Sequence, residues 1–93
     1  MSIILIGVSH KTAPVEVRER LAFAESRLPD ALQQLVDQQT ISEGVIVSTC
    51  NRVEVIAATV NHRESDSQAS HLYNFLHRFH GCEPSVLSRH CYH

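Results

Sequence analysis

The sequence has no tryptophan, one lysine, and only three glycines and three prolines in 93 residues. Gly7, Gly44 and Gly81 stand far apart, so no glycine-rich loop is present to cradle a phosphate, and a nucleotide cofactor has to bind elsewhere. No run approaches the ~20 apolar residues that span a bilayer, and the opening Met1-Ser2-Ile3-Ile4-Leu5-Ile6 lacks the positive n-region of a signal peptide. The chain therefore reads as a soluble, cytoplasmic protein. Positive charge is also thin. One lysine and seven arginines are scattered, and the net charge is -2, which gives no basic stripe for neutralising phosphates. The three cysteines, at 50, 82 and 91, form no C-x-x-C pair and are odd in number, so free thiols in a reducing compartment are expected rather than a disulfide framework.

What is present is ordinary globular material, 43% hydrophobic and 19% charged, in a length that suits one small domain and no second one. Ile3 to Val8 is a continuous apolar run, the pattern of a central strand buried on both faces. A polar loop, Ser9 to Ala13, follows, and Pro14 suits the first turn of a short helix reaching about Leu21. Leu28, Ala31, Leu32, Leu35 and Val36 gather on one face of a helix expected over about 26–39. Val45 to Ser48 and Val53 to Val60 are β-branched strands. The four residues Thr49 to Arg52 are short enough to join them as a hairpin with Cys50 at its tip. Asn61 to Gln68 reads as a loop into a helix from about Ser67 to His80, with Gly81 as its C′ residue. Pro84 to Leu87 suits one more turn, and Arg89 to His93 a last short strand.

The resulting order, β-α-β-β-α-β, predicts an α+β domain of the ferredoxin-like split type, with a four-stranded antiparallel sheet and helices on one face. An open parallel α/β sheet is the alternative, and the central hairpin argues against it. A strand ending at the last residue suggests a chain cut from something longer.

Cys50 is the sharpest chemical candidate. It lies in Ser48-Thr49-Cys50-Asn51-Arg52-Val53-Glu54, among polar residues and beside a fixed positive charge. A thiol that is to act as a nucleophile needs nearby positive charge or backbone N–H donors, which Arg52, and His10 or Lys11 from the first loop, can offer. The residues alone also allow a packed cysteine used as a small hydrophobe, a solvated His10-Lys11 pair, and an Arg52 occupied by Glu54 two positions along the same strand face. His77, His80, Cys82, His90, Cys91 and His93 invite a zinc reading, but their spacing matches no structural site, so no metal is expected.

Two segments carry a resemblance. Gly7-Val8-Ser9-His10-Lys11-Thr12-Ala13-Pro14 followed by Arg18-Glu19, and Ser48 through Glu54, are similar to the signature of the glutamyl-tRNA reductases, and the likeness covers essentially the whole chain. It implies the amino-terminal part of that enzyme's catalytic domain, occupying 1–93. It further implies NADPH-dependent reduction of glutamyl-tRNA to glutamate-1-semialdehyde, the first committed step of tetrapyrrole (porphyrin) synthesis. Cys50 would then be the nucleophile that forms a thioester. Thr49 and Arg52 would contact the glutamate moiety, and His10 and Lys11 would be active-site neighbours. Family members often have Thr at position 53 and Tyr at 56, where this chain has Val53 and Ile56. The family's catalytic-domain histidine lies beyond residue 93, as do its NADPH-binding Rossmann domain and helical dimerisation domain. The implied partners are glutamyl-tRNA, a second copy of the full enzyme, and glutamate-1-semialdehyde aminomutase as recipient of the product, with no membrane. On this reading the fragment alone is inactive as a reductase. The competing readings are a small ferredoxin-like binding or regulatory module with a packed Cys50, and a metal-binding domain built on the carboxy-terminal His and Cys residues.

Overall fold

A β-branched start, a central hairpin and amphipathic helices between them fold into an α+β domain. The computed structural model describes residues 3–38, 40–60 and 65–92. Strand β1 (Ile3–Ser9) leads through helix α1 (Val15–Leu21), a 3-10 turn (Glu25–Arg27) and helix α2 (Leu28–Leu35) to strands β2 (Ile41–Ser48) and β3 (Arg52–Thr59). Helices α3 (Ser65–His80) and α4 (Pro84–His90) complete it. The sheet is antiparallel with three strands in the order β1-β3-β2, so β3 is central.

A four-stranded sheet is not formed among the described residues. Arg89 and His90, expected in a last strand, belong to α4, which runs seven residues rather than one turn. Pro84 supplies the fixed φ of a first helical turn, and buried Leu87 with half-buried Val86 gives the helix an inward side. Among the described residues of that expected strand, only Tyr92 then reaches the sheet. It makes one antiparallel bridge to Gly7, whose N–H donates to the Tyr92 carbonyl at 2.9 Å and whose carbonyl accepts from the Tyr92 N–H at 2.7 Å. His93 and part of the 61–68 loop lie outside the described residues.

Alternation along the strands puts Ile6 and Val8 of β1 and Val53, Val55 and Ala57 of β3 on one buried face. Leu21, Phe23, Ala31, Leu35, Leu72, Phe75, Leu76, Cys82 and Leu87 close over it, so the helices cover one face, as the sequence predicts. The expected burial of β1 on both faces holds only near its end, since Ile3 is 71% exposed. Two boundaries also shift. Helix α2 stops at Leu35 instead of about 39, because the Asp37 carboxylate accepts the N–H groups of Thr40 and Ile41 and Gln38 turns with φ +63. Strand β2 starts four residues before Val45, with Gly44 inside it, and a Cβ on Gly44 would meet Leu35 Cδ2 at 2.6 Å. That glycine marks the close approach of helix to sheet.

His80 carries a pH signature. Its ring packs edge-on to Phe23 at 4.4 Å and to Phe79 at 5.1 Å, and the Arg27 guanidinium lies 4.7 Å from the Phe79 ring centre. Its Nε2 is buried with no hydrogen-bond partner. Burial, and then the charge of Arg27, push its pKa below the ordinary 6.5, against a smaller opposing contribution from the backbone of Leu21. Because the folded pKa is the depressed one, the unfolded chain binds the proton better. The stabilisation held by neutral His80 is fully present above about 6.5 and is lost as pH falls through the folded value. The urea midpoint should therefore drop on acidification, and His80→Leu should flatten that drop. An unchanged pH dependence in the variant would contradict it.

Candidate active site

The hairpin forms where β-branched residues give way to polar ones. Its last rung pairs Ser48 with Val53, and Thr49, Cys50 and Asn51 connect the strands. Thr49 builds the turn. Its N–H donates to the Arg52 carbonyl at 2.8 Å, and its hydroxyl oxygen accepts the N–H groups of Asn51 at 3.2 Å and Arg52 at 3.1 Å. Such side-chain-to-backbone bonds set the tip's shape without a glycine. Cys50 is exposed at that tip and is a free thiol, so the packed cysteine of the competing reading is not found.

The tip is held from outside as well. Ser9 and Arg52 form the end rung of β1 and β3, which brings the 9–13 loop beside the hairpin, at the same edge of the sheet as expected. That loop is wound by its own side chains: the Ser9 N–H donates to Thr12 Oγ1 at 3.0 Å, and the Lys11 N–H to Ser9 Oγ at 3.2 Å. The His10 N–H donates to the Asn51 carbonyl at 2.9 Å, so His10 touches the tip through its backbone, while the His10 and Lys11 side chains are exposed. On the other flank, the Phe23 N–H donates to Ser48 Oγ at 2.9 Å.

Arg18 completes the brace, and sequence reasoning did not single it out as a site residue. From α1 its Nε donates to the Ala13 carbonyl at 3.2 Å, while one terminal nitrogen donates to the carbonyl of Cys50 itself at 2.6 Å. The only signal in the sequence is its place in the first signature segment. Nothing local ties it to a residue 32 positions on.

Arg52 points along the sheet toward Glu54, with a nitrogen-to-oxygen separation of 3.7 Å and 53% of the arginine side chain exposed. A pair so long and so solvated contributes about 0–1 kcal/mol. It leaves the guanidinium fork able to take another carboxylate. Glu54 is better fixed, at 14% exposure, because the Tyr92 hydroxyl donates to its other oxygen at 2.8 Å. Burial first, and then this bond, push the Tyr92 pKa up. Gly7 makes the room: a Cβ there would sit 2.8 Å from Glu54 Cγ and 2.7 Å from the Val53 carbonyl oxygen. Of the two departures from the family pattern, Val53 stands on the rung next to the tip but is buried in the core, and Ile56 is a half-buried residue farther along the strand.

The carboxy-terminal histidines and cysteines have separate positions. His77 Nδ1 lies 2.8 Å from the Cys82 carbonyl, His90 Nδ1 lies 3.1 Å from the Thr12 carbonyl, Cys82 is in the core, and burial pushes the Cys91 thiol up to about 12. Among the described residues no group of three His, Cys, Asp or Glu side chains converges on a metal-sized site. No helix among them is long and apolar enough to cross a membrane.

These features define a class: a small α+β domain that presents one exposed cysteine on a braced hairpin tip, with an accessible arginine two residues away. Residues 6–93 match the family model described as the glutamyl-tRNA(Glu) reductase N-terminal domain. The chain belongs to that family. Over 92 residues, 99% of this chain, it is 46% identical to glutamyl-tRNA reductase 2 of Koribacter versatilis, and 45% identical to the glutamyl-tRNA reductases of Geobacter sulfurreducens and Pseudoalteromonas translucida. It spans 20–21% of the length of those relatives.

Proposed function

We propose that these residues form the nucleophile-bearing part of a glutamyl-tRNA reductase, with Cys50 as acyl acceptor. The observation that carries the reading is the exposed Cys50 thiol at a tip braced from both sides, in a chain of this family. The Cys50 thiolate attacks the carbonyl carbon of the glutamyl ester. A carbon–sulfur bond forms, the carbon–oxygen bond to the tRNA ribose breaks, and the leaving oxygen takes up a proton. The products are free tRNA and a glutamyl thioester on Cys50.

Arg52 is the clamp for the glutamate's carboxylate, since its pair with Glu54 is weak enough to yield to a bidentate partner. Thr49 shapes the tip that both residues share, and its hydroxyl is the second group proposed to meet the glutamate. His10 and Lys11 lie on the adjoining loop with exposed side chains and have no proton-transfer role in this reading.

The three glycines offer no phosphate cradle: Gly7 and Gly44 lie within strands, and Gly81 follows α3 with φ +68. The described residues do not fit a dinucleotide. NADPH, the family's hydride donor, is accordingly assigned to a domain outside this chain, and the contribution of these residues ends at the thioester. The whole enzyme, a cytoplasmic homodimer in this proposal, makes glutamate-1-semialdehyde for tetrapyrrole synthesis and passes it to the aminomutase. These 93 residues alone form no aldehyde. The fold supports a fourth strand added beside β1 in the whole enzyme, continuing the bridge that Tyr92 begins.

Alkylation tests this reading. Iodoacetamide should label Cys50 ahead of Cys82, which is fully buried, and ahead of Cys91, whose thiol pKa of about 12 leaves almost no thiolate at neutral pH. Exposure alone would give that order, so the deciding result is protection. Glutamyl-tRNA should slow the labelling of Cys50, and the labelled full-length protein should lose reductase activity. Full activity after quantitative labelling of Cys50 would overturn the proposal.

A further inference from the structure

We propose that Arg18 is a positioning residue for acyl transfer, acting through the main chain of Cys50 and not through the substrate. The inference rests on the role given to Cys50 above. Two successive carbonyls of the hairpin tip are held from one neighbouring segment: Cys50 by the Arg18 guanidinium at 2.6 Å and Asn51 by the His10 N–H at 2.9 Å. Together they hold both peptide planes that flank the Cα of Asn51, and the first of these, held by Arg18, is also one of the two planes that aim the Cys50 side chain.

Arg18 is itself aimed by its second bond, from Nε to the Ala13 carbonyl. That carbonyl belongs to a segment pinned in turn, because the Thr12 and Ala13 N–H groups both donate to the Ser9 carbonyl at 3.0 Å. The guanidinium thus spans two carbonyls in a fork that an ammonium cannot reproduce. Arg18 is half-buried in α1 and carries no ion pair among the described residues. Its donors go to the main chain of the loop and of the tip, an arrangement that determines where a thiol stands rather than how a helix is held to the core. Acyl transfer depends on such placement, since a displacement of roughly 1 Å in the attacking atom can cost about 100-fold in rate. Alkylation by a small, freely diffusing reagent depends on it much less.

The experiment compares the full-length protein with its Arg18→Gln and Arg18→Lys variants in two assays, tRNA release from glutamyl-tRNA in a single turnover and iodoacetamide labelling of Cys50. Arg18→Gln should lower the acyl-transfer rate about 10- to 100-fold, with the KM for glutamyl-tRNA and the labelling rate of Cys50 each within about threefold of the parent. Arg18→Lys should recover part of the loss, because an ammonium reaches one carbonyl but not both. Acyl transfer within about threefold of the parent in Arg18→Gln would overturn the proposal. So would an equal fall in both assays, or failure of both variants to fold, either of which makes Arg18 a strut of the domain. A Cys50→Ser control keeps the two ideas apart: acyl transfer surviving in that control removes the role of Cys50, whatever the Arg18 variants do.

Discussion

Replacing Cys50 with serine in the full-length protein should abolish reductase activity, by about 10⁴-fold or more, while leaving the fold intact. The size follows from the role. A nucleophile cannot be removed from a covalent route without forfeiting the route, and losses of this order are typical when the attacking group of a covalent enzyme is deleted. Serine keeps the shape of the side chain, but its hydroxyl stays protonated at neutral pH and is a far weaker nucleophile than a thiolate. The stability expectation is equally definite. Cys50 is exposed and its side chain does not contribute to the turn, which Thr49 closes, so the unfolding free energy should move by no more than about 0.5 kcal/mol. A variant that is inactive because it is unfolded would not satisfy this prediction. One that is folded and fully active would remove Cys50 from the chemistry.

Arg52→Gln should produce the second largest effect, and of a different kind. If the guanidinium grips the glutamate's carboxylate, losing it leaves that charge poorly matched in the site and costs about 2–4 kcal/mol, or roughly 30- to 1000-fold in kcat/KM. Discrimination should fall too: a glutaminyl-tRNA, which lacks the carboxylate, should be disfavoured by the parent and nearly equivalent to glutamyl-tRNA for the variant. Glu54 should remain in place, since Tyr92 holds its other oxygen at 2.8 Å and the Arg52 contact is 3.7 Å long. The domain should therefore stay folded. A kcat/KM within about threefold of the parent, with discrimination kept, would leave Arg52 as a surface partner of Glu54 and nothing more.

How much of this was legible in the sequence depended on the distance over which each feature is determined. The hairpin was legible because two β-branched runs bracket the four residues Thr49 to Arg52, a local pattern, and the exposure of Cys50 followed from its place at the tip. The helices on one face followed from the β-α-β-β-α-β order, with the apolar face of α2 in support. What failed was also determined at a distance. The strand expected from Val45 in fact includes Gly44, and the approach of Leu35 explains a glycine inside β2. The expected last strand gave way to α4, because Pro84 and the inward side of that helix carry it to His90, and among the described residues the sheet gains only the bridge at Tyr92. Arg18 and Tyr92 reach the site across 32 and 38 residues, and no spacing rule connects them to it. The bland reading of Arg52, a pair with Glu54, is present but loose, so it limits the proposed clamp without removing it.

The central claim is that the glutamyl group passes through the sulfur of Cys50. The direct measurement is to mix the full-length protein with glutamyl-tRNA carrying labelled glutamate, withhold the hydride donor, quench with acid and locate the label by peptide mass spectrometry. The account predicts stoichiometric label on the peptide containing Cys50, released by hydroxylamine as a thioester is and missing from Cys50→Ser. Label found on another residue, or reduction proceeding at the parent rate with no labelled Cys50 peptide at any time, would contradict it.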